Sequence, residues 1–432
     1  MQSLWTKIAG RPRFPTLEGD AHADVLIIGG GIAGILCAHR LHRAGIPYIL
    51  VEADEICSGT TENTTAKLTY QHGLLYDRII RRYGMDAARL YFDAQCAAMQ
   101  ELRALCQATD CDFSERDAFV YSLHDRQKIE CEAEALFRLG ADATVCERTE
   151  LPFPVAAALR VPGQGCFHPL KLLLSLAADL NIYEHTRALA WEGDRIRTEH
   201  GSIRAKKIVV ATHFPIFNKH GAYFLKMYQH RSYVLALQNA PVPKGMYVDE
   251  SDTGLSFRPH GDLLLLGGGS HRTGKSGGGW EELSRFAKEY YPEAETIAHW
   301  ATQDCMTLDG MPYIGQYSRS TPNMYVTTGF NKWGMSSAMV AAMILSDMLR
   351  GKESLYAPVF SPQRSILHPR LATHIGDTLL GMLRPTAPRC PHLGCALRYN
   401  HAEHSWDCAC HGSRFCKDGR LLDGPANGDL KE

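Results

Sequence analysis

The stretch ADVLIIGGGIAGILCAHRLHRAGIPYILVEAD, Ala23 to Asp54, constrains the fold more than any other part of the chain. Val25 to Ile28 is an unbroken aliphatic run, the pattern of a strand buried on both faces. Gly29 to Gly34 is a turn, Ile35 to Arg43 has helical spacing, Gly45 ends that helix, and Tyr48 to Glu52 reads as a second strand. This is one βαβ unit, and its two strands must lie parallel with helices covering them. An α/β fold with a Rossmann-like sheet follows. Gly29-Gly30-Gly31-Ile32-Ala33-Gly34 fits G-x-G-x-x-G. Gly29 makes the tight turn, Gly31 lets the backbone approach a pyrophosphate, and Gly34 lets helix and strand pack closely. The phosphates would sit at the helix N-terminus, where free N–H groups and the dipole favour negative charge. Glu52 follows Gly34 by 18 residues and can accept both ribose hydroxyls of an adenosine while repelling a 2′-phosphate.

The motif alone does not separate NAD from FAD. Two later segments favour a flavin. SGTTENTTAKLTYQHG, Ser58 to Gly73, is a hydroxyl-rich loop suited to ribityl and phosphate oxygens. TTGFNKWGM, Thr327 to Met335, opens a second glycine-led helix whose N-terminus can stabilise negative charge on a reduced ring. Elsewhere, residues from about 78 to 150 read as amphipathic helix, 182–212 and 228–270 as strands, and Met335 to Leu349 as a helix. A length of 432 residues predicts two or three domains. Lys+Arg 46 against Asp+Glu 47 leaves no basic excess, which argues against nucleic acid as a partner. With no signal-peptide pattern and no apolar run of membrane length, the sequence predicts a soluble, cytoplasmic protein without a membrane span.

Fourteen cysteines are present, and five of them crowd the tail. RCPHLGCALRYNHAEHSWDCACHGSRF, Arg389 to Phe415, holds four cysteines and four histidines in 27 residues. Cys390-Pro-His392 and Cys408-Ala-Cys410-His411 supply two Cys/His pairs, with 15 residues between His392 and Cys408. Three metals compete. Tetrahedral zinc takes two cysteines and two histidines, but zinc knuckles use a different ligand order. Copper calls for one cysteine with a methionine, which is absent here. A Rieske [2Fe–2S] centre uses two thiolates on one iron and two imidazoles on the other, and C-x-H-x₁₅-C-x₂-H matches it. His401, His404 and Cys416 read as bystanders.

DVLIIGGGIAGILCAHRL…VEA, NTTAKLTYQHGLLY, IVVAT, CMTLDGMPYIG and TGFNKWGMSSAMVAAMILSDML, in that order, resemble the FAD-dependent D-amino acid oxidase/glycine oxidase superfamily, in the version that carries a C-terminal Rieske domain. The resemblance covers about residues 4–430. It implies an FAD-binding domain assembled from residues 1–80, 155–215 and 300–364. It further implies a substrate domain with a mixed sheet from 81–154 and 216–299, a connector over 365–389, and a cluster-binding β subdomain over 390–432. It implies oxidation of a C–N bond in an amine or amino acid by hydride transfer to flavin, with FAD and a [2Fe–2S] cluster as cofactors. Carried over by position, Gly29, Gly31, Gly34 and Glu52 bind the ADP part. Thr60, Thr61, Thr64, Thr65 and Ala66 lie near the phosphates and isoalloxazine. Ala188, Ala211 and Thr212 lie near adenine and pyrophosphate. Asp309, Gly310, Gly329, Phe330, Asn331, Lys332, Trp333 and Gly334 flank the flavin ring.

The resemblance also makes Cys390, His392, Cys408 and His411 the iron ligands. It places Cys395 and Cys410 where a disulfide ties the two loops together. Ser413 falls where a hydroxyl serves a bridging sulfide, and Phe415 where high-potential members have a tyrosine. One fewer hydrogen bond to sulfur favours the oxidised cluster and lowers the potential, within roughly −150 to +300 mV but away from the top. Only about 25 residues separate Ser365 from the first loop, so the β-sandwich base of a complete Rieske domain is trimmed away. The tail must therefore fold around its cluster or dock on the body.

Candidate catalytic residues are His72 as a base, Arg258 as a carboxylate clamp and Lys332 at the flavin-side helix; Gln71, Tyr228 and His230 are further contacts. The expected partners are a small amine or amino acid and a one-electron acceptor. Competing expectations are an O₂-using oxidase with an idle cluster, and a redox-sensing or electron-transfer flavoprotein.

Overall fold

A computed structural model describes residues 2–8, 10–217, 220–383 and 388–430. The aliphatic run forms the centre of a sheet. The strand Ala21–Ile28 lies parallel between Tyr48–Val51 and Ser202–Val210, pairing Leu26 with Ile49 on one side and Ile208 on the other. Met324–Thr328 extends the sheet in parallel, and Tyr313–Gln316 closes that edge antiparallel. The helix Ile32–Arg43 follows Gly31, whose extended backbone caps it, and buries Ile35, Leu36 and Leu41. Gly34 is buried there, because a Cβ at that position would stand 1.9 Å from the carbonyl oxygen of Gly29. The helix Gly334–Leu349 packs against this one and against Met85–Gln107.

A second, nine-stranded sheet runs Glu295–Thr307, Met227–Gln238, Leu263–Arg272, Ser256–His260, Met246–Asp249, Ser114–Ser122, Ala157–Cys166 and Lys67–Leu68, with Thr144–Cys146 on the side. It is mixed: Met246–Asp249 runs parallel to Ser114–Ser122, while most pairs are antiparallel. Two expectations change here. Residues 78–150 are not helical throughout, because Ser114–Ser122 and Thr144–Cys146 are strands. Ser114–Ser122 alternates toward its buried end and is paired on both sides, and that pairing outweighs the helical periodicity of its neighbours. The sheets also cross the boundaries expected at 155 and 300. Ala157–Cys166 and Glu295–Thr307 belong to the nine-stranded sheet, since hydrogen-bonded neighbours decide where a strand belongs.

The tail begins with a helix, Pro369–Leu383, and continues as a four-stranded antiparallel sheet: Leu397–Asn400, Ser405–Cys408, Arg414–Cys416 and Leu421–Asp423. It docks on the outer end of the nine-stranded sheet. Arg231 of the body meets Glu403 of the tail, its Nε 2.9 Å from Oε1. Glu403 also accepts from Tyr233 at 3.1 Å and from Arg414 at 2.8 Å, while Arg414 Nε reaches Asp407 at 3.1 Å. These side chains are almost fully buried. No helix among the described residues is long and apolar enough to cross a membrane.

Candidate active site and metal centre

The carboxylate of Glu52 turns back onto the glycine turn, accepting from Gly30 N at 2.7 Å and Asp54 N at 3.1 Å. Burial raises its pKa, opposed by those backbone donors. Thr61 Oγ1 accepts from Ile32 N, in the first turn of the helix, at 3.1 Å. A Cβ on Gly29 would meet the Ala211 carbonyl at 2.5 Å, so the turn and the end of Ser202–Val210 touch backbone to backbone. This bare, N–H-rich cradle fits the pyrophosphate of a dinucleotide. Thr212 follows, its hydroxyl bonded to Phe214 O at 2.8 Å, and Ala188 starts the strand Ala188–Glu192 at the same sheet's margin.

The hydroxyl-rich loop is tied down rather than free. Thr60 Oγ1 donates to Gln303 O at 3.3 Å, Thr64 Oγ1 accepts from Ala66 N at 3.0 Å, and Thr65 Oγ1 accepts from Lys67 Nζ at 3.1 Å. Across from it, Gly329, Asn331 and Lys332 have φ of 73°, 51° and 71°. Asn331 holds this left-handed turn by accepting from Thr307 N at 2.7 Å. Phe330 packs against the main core, and Trp333 and Gly334 lead into the helix Gly334–Leu349. Asp309 carries a two-pronged ion pair with Arg364, at 2.7 and 2.9 Å, and holds the turn at Gly310. That pairing keeps its carboxyl down at about 2 despite burial.

His72 is fully engaged. Nδ1 meets Tyr91 OH at 2.8 Å, Nε2 meets Thr69 O and Ser336 Oγ at 3.0 Å, and the ring stacks on Trp333 at 5.1 Å. Burial drives its pKa down to about 3. Both ring nitrogens are engaged, which supports a place in the wall for His72 over a role as base. Arg258 is buried, with Nη2 donating to Phe167 O at 2.9 Å. Its Nε and Nη1 are buried without a partner among the described residues. Lys332 Nζ donates to Asp252 O at 3.0 Å, and burial lowers its pKa. Lys67, which the sequence reading passed over, joins these two. Its pKa is pushed down to about 7 by burial and then by Arg258, with a smaller push from Lys332. The signal was available: Lys67 sits inside the KLTYQH run. Among the other contacts, His230 Nδ1 and both amide atoms of Gln71 are buried without partners among the described residues, while Tyr228 lies under Arg272.

In the tail, the two loops bring Cys390, His392, Cys408 and His411 together. The imidazoles of His392 and His411 lie 5.0 Å apart, and all four ring nitrogens are buried without a partner among the described residues. Such nitrogens carry a cost unless something binds them. Cys408 hydrogen-bonds with Cys390 first, then with Cys395 and Cys410, and its thiol is held well below the usual range. Orphaned imidazoles beside two neighbouring cysteine sulfurs fit a cluster with sulfur on one iron and nitrogen on the other. Cys395, Cys408 and Cys410 have their sulfurs within 4.8 Å of one another. All fourteen cysteines are free thiols, so the expected Cys395–Cys410 disulfide is not formed here. Cys408 lies against both sulfurs and shares their contact. Ser413 Oγ accepts from Ala426 N at 3.1 Å and also bonds Cys390; Phe415 is buried.

The histidines face the body, not solvent alone. His392 packs on Phe214 and Phe224, and His411 packs on Phe224 and His374. Gly412, at φ +93°, sits so close to Gln229 that a Cβ would stand 2.2 Å from that side chain. Gln303 Nε2 donates to Gly412 O at 3.0 Å and to Asp423 at 3.1 Å.

The profile of the family described as FAD dependent oxidoreductase (DAO) matches residues 24–348, and that of the Rieske [2Fe-2S] domain matches residues 374–432. The chain is 34% identical to the putative Rieske 2Fe-2S iron-sulfur protein YhfW of Bacillus subtilis (strain 168), across 100% of this chain and 97% of that protein. That alignment spans 494 positions, so the relative carries residues this chain lacks. Gamma-glutamylputrescine oxidoreductase of Escherichia coli (strain K12) is 25% identical over 78% of this chain and 86% of its own. Among solved structures, glycine oxidase from Geobacillus kaustophilus superposes with a TM-score of 0.67 at 21% identity, covering 80% of this chain and 99% of that one. The chain belongs to the DAO family of FAD-dependent oxidoreductases and carries a C-terminal Rieske [2Fe-2S] domain.

Proposed function

We propose that this protein is a dehydrogenase for an amine or amino acid, and that electrons leave its flavin site through the tail cluster to an external one-electron acceptor. FAD supplies a two-electron hydride acceptor, and the cluster supplies a one-electron relay. The protein orients the C–N bond, takes up the released proton and keeps the two cofactors coupled. Arg258, with two unpartnered buried donors, suits a substrate carboxylate. Lys67, drawn toward neutrality by burial and Arg258, suits the proton better than His72 does. Glu52, the glycine turn and the Thr60–Ala66 loop would hold FAD; Cys390, His392, Cys408 and His411 would hold the cluster.

One observation carries the electron route. Gln303 spans both sites: its backbone oxygen accepts from Thr60 of the expected flavin loop, and its side chain donates to Gly412, next to His411. A cluster that served only an outside partner would not need its imidazoles against Phe214 and Phe224 of its own body.

The test is an anaerobic screen of amines and amino acids for flavin bleaching, followed by stopped-flow with a one-electron acceptor. With a reducing substrate found, Cys408→Ser should leave bleaching intact and cut acceptor reduction by two orders of magnitude or more. Unchanged, fast peroxide formation under O₂ in that variant would favour the oxidase with an idle cluster. Failure of every amine and amino acid to bleach the flavin would overturn the C–N reading.

A further inference from the structure

A cleft of about 120 Å³ is lined by Arg78, Arg82, Tyr83, Asp309, His368 and Arg370. Three guanidiniums and an imidazole face one small space. Asp309 does not balance them: both its oxygens are taken by Arg364, and one also accepts from Tyr83 at 3.0 Å. Among the described residues, Arg78, Arg82 and Arg370 have no carboxylate within salt-bridge distance. Arg78 spends its Nε on Leu74 O at 2.8 Å, and Arg82 donates one nitrogen to Leu367 O. Asp252 and Glu132 act on Arg78 only from farther off, and Glu132 is engaged by the N–H groups of Tyr76 and Asp77 at 2.9 Å.

Clustering like charges around a cavity costs free energy unless an anion relieves it. The groups feel one another. Burial first and Arg370 second weaken the charged form of Arg78, and burial followed by Arg82 and Arg370 lowers the pKa of His368. The same grouping offers several forked N–H donors at one spot, the chemistry that recognises carboxylate and phosphate oxygens.

We propose that this cleft binds an oxyanion, the carboxylate or phosphate group of a small molecule. It opens beside Gly310, whose added Cβ would lie 3.6 Å from Arg78 Nη2. The resemblance puts Gly310 and Asp309 next to the flavin ring, so the natural occupant is a remote acid arm of the substrate. That assignment of source rests on the proposed function; the anion site itself does not.

The experiment is thermal unfolding of the holoenzyme with inorganic phosphate or succinate titrated against chloride of equal ionic strength. A saturable rise in midpoint is expected for the native protein. Arg370→Gln, which removes a guanidinium with no ion pair among the described residues, should weaken half-saturation about ten-fold, roughly the loss of one charge-assisted contact. Without added anion its midpoint should hold or rise, because repulsion is relieved; Arg370→Lys should keep part of the effect. Phosphate and succinate acting no more than chloride, or acting equally on Arg370→Gln, would overturn the site. A bound anion that competes with the reducing substrate identifies the acid arm; one that does not compete identifies a free anion in the same cleft. The unfolding readings need no substrate, so the test of the site stands apart from the amine screen; only the competition arm draws on it.

Discussion

The flavin-type body and the tail are stabilised by different means. The body buries long aliphatic runs, such as Leu26, Ile28, Val51 and Val210 in one cluster and Ile35, Leu36, Leu172 and Ile344 in another. The tail's own core has seven buried members, and four of them are Cys390, Cys395, Cys408 and Cys410. Two of them, Cys390 and Cys408, are expected iron ligands, so cluster binding would be coupled to the folding of this segment. The rest of its support is polar and borrowed: Glu403 is shared by Arg231 of the body and Arg414 of the tail. The comparison teaches that a small domain with little apolar core of its own can be held on a host surface by buried, paired charge. Such charge contributes little relative to a hydrophobic substitute, but losing one partner is costly.

The largest expected effect follows from that asymmetry. Glu403→Ala strands the buried Arg231 guanidinium, takes one of Arg414's two carboxylates, and should cost about 3–5 kcal/mol. It should appear as an early unfolding step and as proteolytic release of the tail, with the flavin spectrum unchanged. A single, unshifted transition would break the contrast between the two regions.

In the body, Gly34→Ala pushes a methyl group into the Gly29 carbonyl. Overpacking of this kind costs about 1–3 kcal/mol, and here it should also lower flavin content, read as the ratio of flavin to protein absorbance. Iron content should be unaffected. Equal loss of iron would show that the tail depends on the glycine turn as well as on its dock.

The third effect is nil at neutral pH and grows only in acid. His72 has a folded pKa of about 3, below the ordinary 6.5. Below pH 6.5 the unfolded chain takes up a proton that the folded one refuses. Stability therefore falls as pH drops from 6.5 toward 3, by about 1.4 kcal/mol per pH unit from this group. Above pH 6.5 the contribution is nil. His72→Gln should flatten that part of a pH–stability curve while leaving the pH profile of flavin reduction in place. A shifted reduction profile would restore His72 as a base.

Much of this was legible in the chain. The aliphatic run and the glycine turn determined a parallel sheet with a dinucleotide cradle, because few other structures bury Val25–Ile28 and place bare backbone at Gly29 and Gly34. Ligand type and spacing pointed to Cys390, His392, Cys408 and His411 as iron ligands, because two thiols and two imidazoles in that order suit two irons. The family and its two cofactors followed from motif order. Other features needed the fold. Ser114–Ser122 became a strand because partners on both sides paired with it. His72 is engaged by Tyr91, Ser336 and Trp333, distant in sequence, and by nearby Thr69, partners that no local pattern announces. Lys67 gained its lowered pKa only when folding brought Arg258 and Lys332 near. The arginine cleft joins residues 78–83 to 368–370, which no local pattern connects. Local sequence dictates backbone shape and ligand chemistry; which charges share one buried space is decided by tertiary packing alone.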